Sequence, residues 1–254
     1  YNTSTSTNNP NNQTTDYAVP TTQASNITFT SITATSFVST WSNGNGSARL
    51  VFIKAATSGN ATPVNNTTYS ANAAYGSGSQ IGASGWYCVY DGTGNSVTIS
   101  NLSPNSTYRI MVCEYNGTSG SEKYSLVTMS NNPNNQITDF AVPTTQASSI
   151  SFSTVTDSSF FATWINGNGT ARAVFLKAGT TGTATPAVNT TYSANNRFGS
   201  GSQISTSGWY CIYNGTGNSL TVTGLSSNTT YRLMVCDYNG TTALEKYNAN
   251  TATG

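Results

Sequence analysis

The sequence has 254 residues, of which 36% are hydrophobic and 7% are charged, with a formal net charge of +1. This apolar and aromatic content is enough for folded cores, which argues against a wholly disordered chain. The near-neutral charge, without a basic stripe, argues against nucleic-acid binding, and no apolar run approaches the roughly 20 residues of a membrane span.

The absence of histidine is the strongest feature bearing on catalysis. Histidine is the usual general base, the usual partner of a nucleophile and the commonest metal ligand. The sequence therefore predicts that the protein is not an enzyme. It offers no catalytic residue, no metal site and no cofactor site.

The chain is an internal repeat. Three residues of low frequency recur 123 positions later: Trp41, Cys88 and Cys113 return as Trp164, Cys211 and Cys236. The segment 18–124 aligns with 141–247 without a gap. A gapless period of this length predicts two copies of one domain.

The ends of the chain follow the same period. Tyr1 aligns with Tyr124, and the Asn-Asn-Pro-Asn-Asn-Gln of 8–13 returns at 131–136. We interpret 1–16 as the tail strand of a preceding copy plus a linker, and we expect a longer array. The remaining boundaries are repeat 1 at 17–130, a linker at 131–139 and repeat 2 at 140–254, since Pro and Asn favour exposed turns.

Short strands, and no helical period, are predicted along repeat 1. Alternation of apolar and hydroxyl residues, or short apolar runs bounded by turn residues, marks them. They cover Ile27–Phe29, Ser36–Trp41, Arg49–Lys54, Trp86–Tyr90, Ser96–Ile99, Tyr108–Cys113 and Tyr124–Met129. The stretch 57–84 reads as too polar for a core. The predicted fold class is all-β, with two tandem immunoglobulin-like antiparallel β-sandwiches.

A local motif narrows this prediction. Leu102-Ser103-Pro104-Asn105-Ser106-Thr107-Tyr108, repeated at 225–231, resembles the corner between the fifth and sixth strands of fibronectin type III domains. That resemblance implies a leucine that plugs the core and a tyrosine whose hydroxyl bonds back to the corner. Trp41 stands where that family has a core tryptophan. The implied core and corner residues are Trp41, Leu102, Tyr108, Trp164, Leu225 and Tyr231.

The wider pattern, with Trp-x-Asn-Gly-Asn-Gly, Thr-Tyr-Ser-Ala-Asn and Gly-Ser-Gly-Ser-Gln-Ile, resembles the fibronectin III-like repeats of Bacteroidota secreted surface proteins. Those proteins are often exported by the type IX route and include adhesins. The resemblance implies an extracellular, cell-surface location and a structural or adhesive role in a stalk, adhesin or filament. The alternative is a carbohydrate-binding or spacer module accessory to a secreted hydrolase.

The cysteines lie 25 residues apart in each copy, without the CxxC form of zinc and redox sites. For a secreted chain, this predicts disulfides Cys88–Cys113 and Cys211–Cys236, each stabilising by about 3.5 kcal/mol in the chain-entropy model. If Tyr108 faces the core, alternation turns Cys113 outward, so a bridge would need an outer face or a bulge. Buried free thiols and a bridge between chains stay open as alternatives.

Acidic residues that align in both copies have basic companions, which predicts ion pairs at strand ends.

Two further sets are candidates for contact or modification. An outward aromatic row would stack on surface glycans or a neighbouring subunit, with ordinary core packing as the alternative: Trp86, Tyr87, Tyr90, Trp209, Tyr210 and Tyr213. Candidate glycosylation sites are Asn26, Asn66, Asn105, Asn189 and Asn228.

The expected partners are neighbouring repeats or identical subunits. Because residues 1–7 align with the predicted last strand of repeat 1, we expect Tyr1–Thr7 to complete a neighbouring domain or to be donated to another chain as a strand.

Overall fold

A computed structural model describes residues 1–250. The chain divides into two compact units, Tyr1–Asp139 and Phe140–Gly254. Every regular element within the described residues is a β-strand. Accordingly, that part of the chain contains no helix of the length and hydropathy needed to cross a bilayer.

Unit 1 has eight strands in two antiparallel sheets. They are β1 (Ser25–Thr30), β2 (Phe37–Ser42), β3 (Ala48–Ala55), β4 (Tyr87–Gly92), β5 (Ser96–Ile99), β6 (Thr107–Asn116), β7 (Lys123–Tyr124) and β8 (Asn134–Ile137). One sheet has the order β1-β2-β5. The other has the order β4-β3-β6, and both β7 and β8 pair with β6.

Between residues 140 and 250, unit 2 repeats this arrangement with seven strands. They are β9 (Ser148–Ser153), β10 (Ser159–Ile165), β11 (Ala171–Ala178), β12 (Tyr210–Gly215), β13 (Ser219–Thr223), β14 (Tyr231–Asn239) and β15 (Lys246–Tyr247). The sheets are β13-β10-β9 and β12-β11-β14-β15. No counterpart of β8 exists in the described part of the chain, since the equivalent positions would follow residue 254.

The two sheets of each unit form a sandwich of the fibronectin type III kind, with the first, second and fifth strands facing the remaining strands. Inward-facing residues of both sheets build the core of unit 1, including Phe37, Trp41, Val51 and Ile110. Along β2, every second side chain is buried, namely Phe37, Ser39 and Trp41, so one face of the strand points into the core. The predicted fold class is confirmed.

A second core lies on the outer face of the β4-β3-β6 sheet. Alternation sends Leu50 and Phe52 of β3 to this face, where they pack with Ala61, Tyr69 and Ile81. The segment 57–84 therefore does contribute to a core, contrary to the sequence interpretation. Its polar composition hid three buried side chains that cover an otherwise exposed sheet face.

The predicted linker at 131–139 is also corrected, because its central part is β8 of unit 1. β8 pairs antiparallel with β6, with Ile110 opposite Asn134 and Thr107 opposite Ile137. Just before β8, the chain reaches the sheet edge through a turn. The turn is closed by a hydrogen bond from the backbone N–H of Asn132 to the Met129 carbonyl (2.9 Å). Pro133, which lacks an N–H, precedes the paired residues and so costs the ladder no bond.

Candidate functional site

A buried ion pair joins the turns at one end of unit 1. Arg49 Nε donates to Glu114 Oε1 at 3.0 Å, and both side chains are nearly inaccessible. The carboxylate also accepts the N–H groups of Gly44 (2.9 Å) and Gly46 (3.0 Å). A Cβ on Gly44 would lie 2.1 Å from the Thr22 carbonyl oxygen, so glycine is required at this close approach. The Arg49 guanidinium also donates to the Gly94 carbonyl at 3.1 Å, in the turn between β4 and β5.

Unit 2 repeats this network with a shorter acid. Arg172 lies 3.3 Å from Asp237, which accepts the Gly167 N–H at 3.3 Å. Asp lacks one methylene of Glu, so its carboxylate lies farther from its donors than the carboxylate of Glu114 does. In both units the network fixes turns to strands, as the sequence predicts for its aligned acids.

Glu122 and its counterpart Glu245 are also buried. Glu122 Oε1 accepts from the Thr68 hydroxyl at 2.5 Å, and the equivalent Thr191 donates to Glu245. The second carboxylate oxygen of each has no hydrogen-bond partner. Within residues 1–250, no group of three or more His, Cys, Asp or Glu residues is arranged to hold a metal. Each of these two acids therefore anchors a loop by accepting the hydrogen bond of its threonine.

The cysteines are free thiols, which corrects the predicted disulfides. Cys88 lies on β4 and Cys113 on β6, with β3 between them. Two strand spacings separate their backbones by about 9.5 Å, whereas a disulfide needs Cα atoms within about 7 Å. The same arrangement holds for Cys211 and Cys236 on β12 and β14. All four are buried in the outer cores, where they pack as small apolar side chains.

Burial also suppresses the reactivity of these thiols. It raises the pKa of the Cys88 thiol to about 12, and that of the Cys211 thiol to about 12, because the thiolate would lose its hydration. The pKa values of Cys113 and Cys236 are raised for the same reason. Since only the thiolate is a good nucleophile or metal ligand, these cysteines are inert in the folded units.

The aromatic strand does not form the exposed row that the sequence suggested. Trp86 lies in the outer core and is 3% exposed. Tyr87 packs edge-on against Tyr75, and Tyr90 against Trp41, with ring centroids 5.4 Å apart in each case. In unit 2, Trp209 is buried, Tyr210 packs on Phe198 and Tyr213 packs on Trp164. The strand contributes to both cores and leaves no continuous aromatic surface.

The corner motif adopts the geometry implied by the family resemblance. The Tyr108 hydroxyl accepts the N–H of Ser103, five residues earlier in the chain, at 2.8 Å, and Leu102 is 4% exposed. The Ser226 N–H donates to the Tyr231 hydroxyl at 2.9 Å. Trp41 and Trp164 lie in the inner cores. Unlike Leu102 and Tyr108, Leu225 and Tyr231 are only partly buried.

The candidate glycosylation asparagines are all exposed. Asn26 lies in β1, beside a break in its pairing with β2, and the other four lie in turns: Asn66, Asn105, Asn189 and Asn228. All five have a positive φ, between 47° and 60°. Asparagine tolerates this left-handed conformation better than most residues, which gives a conformational reason for its presence. Their use as modification sites stays a prediction.

The most distinctive surface feature is a groove at the edge of unit 2, which the sequence interpretation missed. It has a volume of about 220 Å³ and is bordered by Gln146–Ile150 on one side and Arg232–Val235 on the other. Ile150 is 36% exposed there, whereas its counterpart Ile27 in unit 1 is 1% exposed. The difference coincides with β8, which covers the equivalent position in unit 1. We call it the β9–β14 groove.

The comparison with protein families agrees with a fibronectin III-like fold. The family described as "Purple acid Phosphatase, N-terminal domain", which has this kind of fold, matches residues 22–128, within unit 1. Among solved structures, a two fibronectin type-III domain segment from chicken tenascin is similar over 86% of this chain and 93% of that one, at 13% identity and a TM-score of 0.36. A comparison with curated proteins gives no match. A fibronectin III-like fold suggests a structural or spacer module.

Proposed function

We propose that the chain is a structural and adhesive segment of an extracellular surface stalk, adhesin or filament. The observation that carries this proposal is that both copies have the same internal network of a buried arginine and a buried acid. Arg49 and Glu114 in unit 1, like Arg172 and Asp237 in unit 2, tie turns to strands. The two units thus repeat a fold-stabilising network.

The mechanics of the units support this role. Each unit consists of antiparallel ladders with a core on both sides of one sheet. Stretching such a unit breaks many backbone hydrogen bonds and exposes two cores, so each unit is expected to yield as a cooperative element. Sparse charge makes the surface largely insensitive to salt.

Single-molecule stretching tests the mechanical part. We expect two discrete unfolding events per chain, each lengthening it by roughly 35–40 nm, because about 115 residues extend at about 3.5 Å each. Gradual extension without discrete events would reject a load-bearing role.

Antibody labelling of intact cells that express the gene tests location. Labelling that requires permeabilised cells would reject a surface location.

A second candidate is a carbohydrate-binding or spacer module beside a secreted hydrolase. The match to a domain whose name places it at the N-terminus of an enzyme favours this candidate. The burial of Trp86 and Trp209 weighs against the sugar-binding version, since it removes the aromatic platform. A glycan array separates the versions, because specific binding would support sugar recognition and a blank array would leave the spacer version.

A further inference from the structure

We propose that two cations on the outer face of the β4-β3-β6 sheet, Lys54 and Arg109, bind the anionic groups of an acidic polysaccharide. The corresponding residues of unit 2 are Lys177 and Arg232. We call each couple the outer cation pair. The inference rests on the adhesive part of the proposed function and deepens it, because it names the class of ligand that this surface would hold.

The first observation is that each outer cation pair places two like charges directly opposite each other. Lys54 of β3 is the register partner of Arg109 of β6, and Lys177 of β11 is the register partner of Arg232 of β14. Side chains at opposed positions of an antiparallel ladder lie on the same face, with Cβ atoms about 5 Å apart, and like charges there are destabilising. Both copies nevertheless carry the pair. An anion that bridges the two cations would replace this repulsion with attraction.

The second observation is that no acid of the described chain neutralises these cations. Within residues 1–250, no carboxylate forms an ion pair with any of the four residues. Lys54 lies on the same face of β3 as Leu50 and Phe52 of the outer core, and it is half-buried. A half-buried lysine packs its aliphatic stem and keeps its ammonium in water. The charge is therefore open to a ligand from solution.

The third observation is that both side chains of unit 1 are held in place by uncharged groups. Arg109 Nε donates to the Gly59 carbonyl at 2.6 Å, and Arg109 Nη1 donates to Asn135 Oδ1 at 2.9 Å. The Lys54 stem runs over Gly85, where a Cβ would lie 3.4 Å from Lys54 Cε. The other Nη donors of Arg109 and the Lys54 ammonium have no acceptor among the described residues, so they are available to an oxyanion. Groups that are already ordered lose less entropy when they bind.

The supporting contacts of the outer cation pair recur in unit 2. Arg232 Nε donates to the Gly182 carbonyl at 2.7 Å, and a Cβ on Gly208 would lie 3.5 Å from Lys177 Cε. Both glycines are the counterparts of those that support the pair in unit 1. The charges and the contacts that hold them are thus repeated together, once in each unit.

The number and surroundings of the cations favour a polysaccharide. Anionic membranes attract clusters of about 4–8 Lys and Arg residues, and nucleic acid requires many phosphate contacts, whereas each unit has a single pair. One pair matches one or two carboxylate or sulfate groups. Next to Gly59, the exposed neutral side chains of Thr57, Ser58 and Asn60 can hydrogen-bond sugar hydroxyls. A polymer that carries an anion at intervals can engage both units of a chain, which multiplies two weak affinities.

Binding of the full chain to dextran sulfate, polygalacturonate and uncharged dextran tests the proposal and separates sulfate from carboxylate. We expect binding to at least one acidic polymer, and affinity at least ten-fold lower in about 500 mM than in about 50 mM NaCl, since salt screens exposed charges. Uncharged dextran should not bind.

The variant Lys54→Gln with Lys177→Gln should bind the acidic polymer at least ten-fold more weakly. Its melting temperature should be unchanged or higher, because the substitutions relieve repulsion between like charges. The matched control, Lys123→Gln with Arg197→Gln, removes two positive charges elsewhere and should stay within about two-fold of the unaltered chain. A second variant, Lys54→Arg with Lys177→Arg, keeps the charges and should retain binding, which separates a charge effect from an effect on folding.

Four outcomes would overturn the proposal. They are no binding to either acidic polymer, equal weakening in the glutamine variant and its control, loss of binding in the arginine variant, and tighter binding to vesicles of anionic phospholipid than to the polymers. Each of these results would leave the structural role intact, because discrete mechanical unfolding and labelling of intact cells do not depend on this surface.

Discussion

The side-chain amide of Asn132 bonds to both backbone groups of Val112, accepting its N–H at 3.1 Å and donating to its carbonyl at 2.8 Å. The same amide donates to the Ala24 carbonyl at 2.8 Å. One fully buried side chain thus continues the β-ladder where the backbone of the last strand turns away. It joins the two sheets of unit 1 at their shared edge.

Replacing Asn132 with alanine is therefore expected to destabilise unit 1. The change leaves three buried backbone groups without partners, at a total cost of about 3–5 kcal/mol in the free energy of unfolding. Urea unfolding followed by tryptophan fluorescence measures this loss. The matched control is Gln136→Ala on β8, whose side chain bonds only to its neighbour's carbonyl. An equal loss in both variants would contradict the role assigned to the Asn132 amide.

Replacing Glu114 with glutamine is expected to cost unit 1 about 3–5 kcal/mol, because it leaves the buried Arg49 charge without a counter-charge. The loss should be nearly independent of salt, since buried pairs are poorly screened. Asp91→Asn serves as the control, because Asp91 is exposed and repeat 2 carries asparagine at that position. The control should change stability by less than about 0.5 kcal/mol. A loss at Glu114 that disappears in high salt would refute a buried pair.

The free thiols give a direct chemical prediction. A thiol reagent at neutral pH should modify fewer than one cysteine per folded chain, because all four are buried and protonated. After unfolding in urea without reductant, all four should react. The intact mass should equal that of the fully reduced chain. A mass lower by two hydrogens per bridge would restore the disulfide prediction and would require strand β3 to move aside.

Alkaline pH should destabilise both units. The pKa of Cys88 and of Cys211 rises from 9.0 in the reference state to about 12 on folding. Above pH 9 the unfolded chain loses protons that the folded chain keeps, so stability is complete below pH 9 and falls as pH rises towards 12. Each thiol contributes up to about 1.4 kcal/mol per pH unit in this window.

Melting temperatures between pH 8 and 10 measure this effect. The window matters because buried tyrosines such as Tyr124 have raised pKa values as well, and their contribution begins above pH 10. Cys88→Ala should flatten the slope between pH 9 and 10, whatever its effect on stability at pH 7. An unchanged slope would show that other groups control the alkaline transition.

The sequence by itself determined the period, the all-β class and the corner built by Leu102 and Tyr108, because these depend on local alternation and on residue identity at fixed spacing. It also predicted basic partners for Glu114 and Asp237, which the structure shows to be Arg49 and Arg172. It did not predict that Glu122 and Glu245 bond to threonines instead. Only the tertiary structure decided which residues lie two strands apart, and this turned the predicted Cys88–Cys113 bridge into two free thiols. It also placed Asn132 inside the sandwich and Trp86 under the 57–84 segment. Burial of a polar or aromatic side chain depends on what a distant part of the chain places over it, and no local pattern records that.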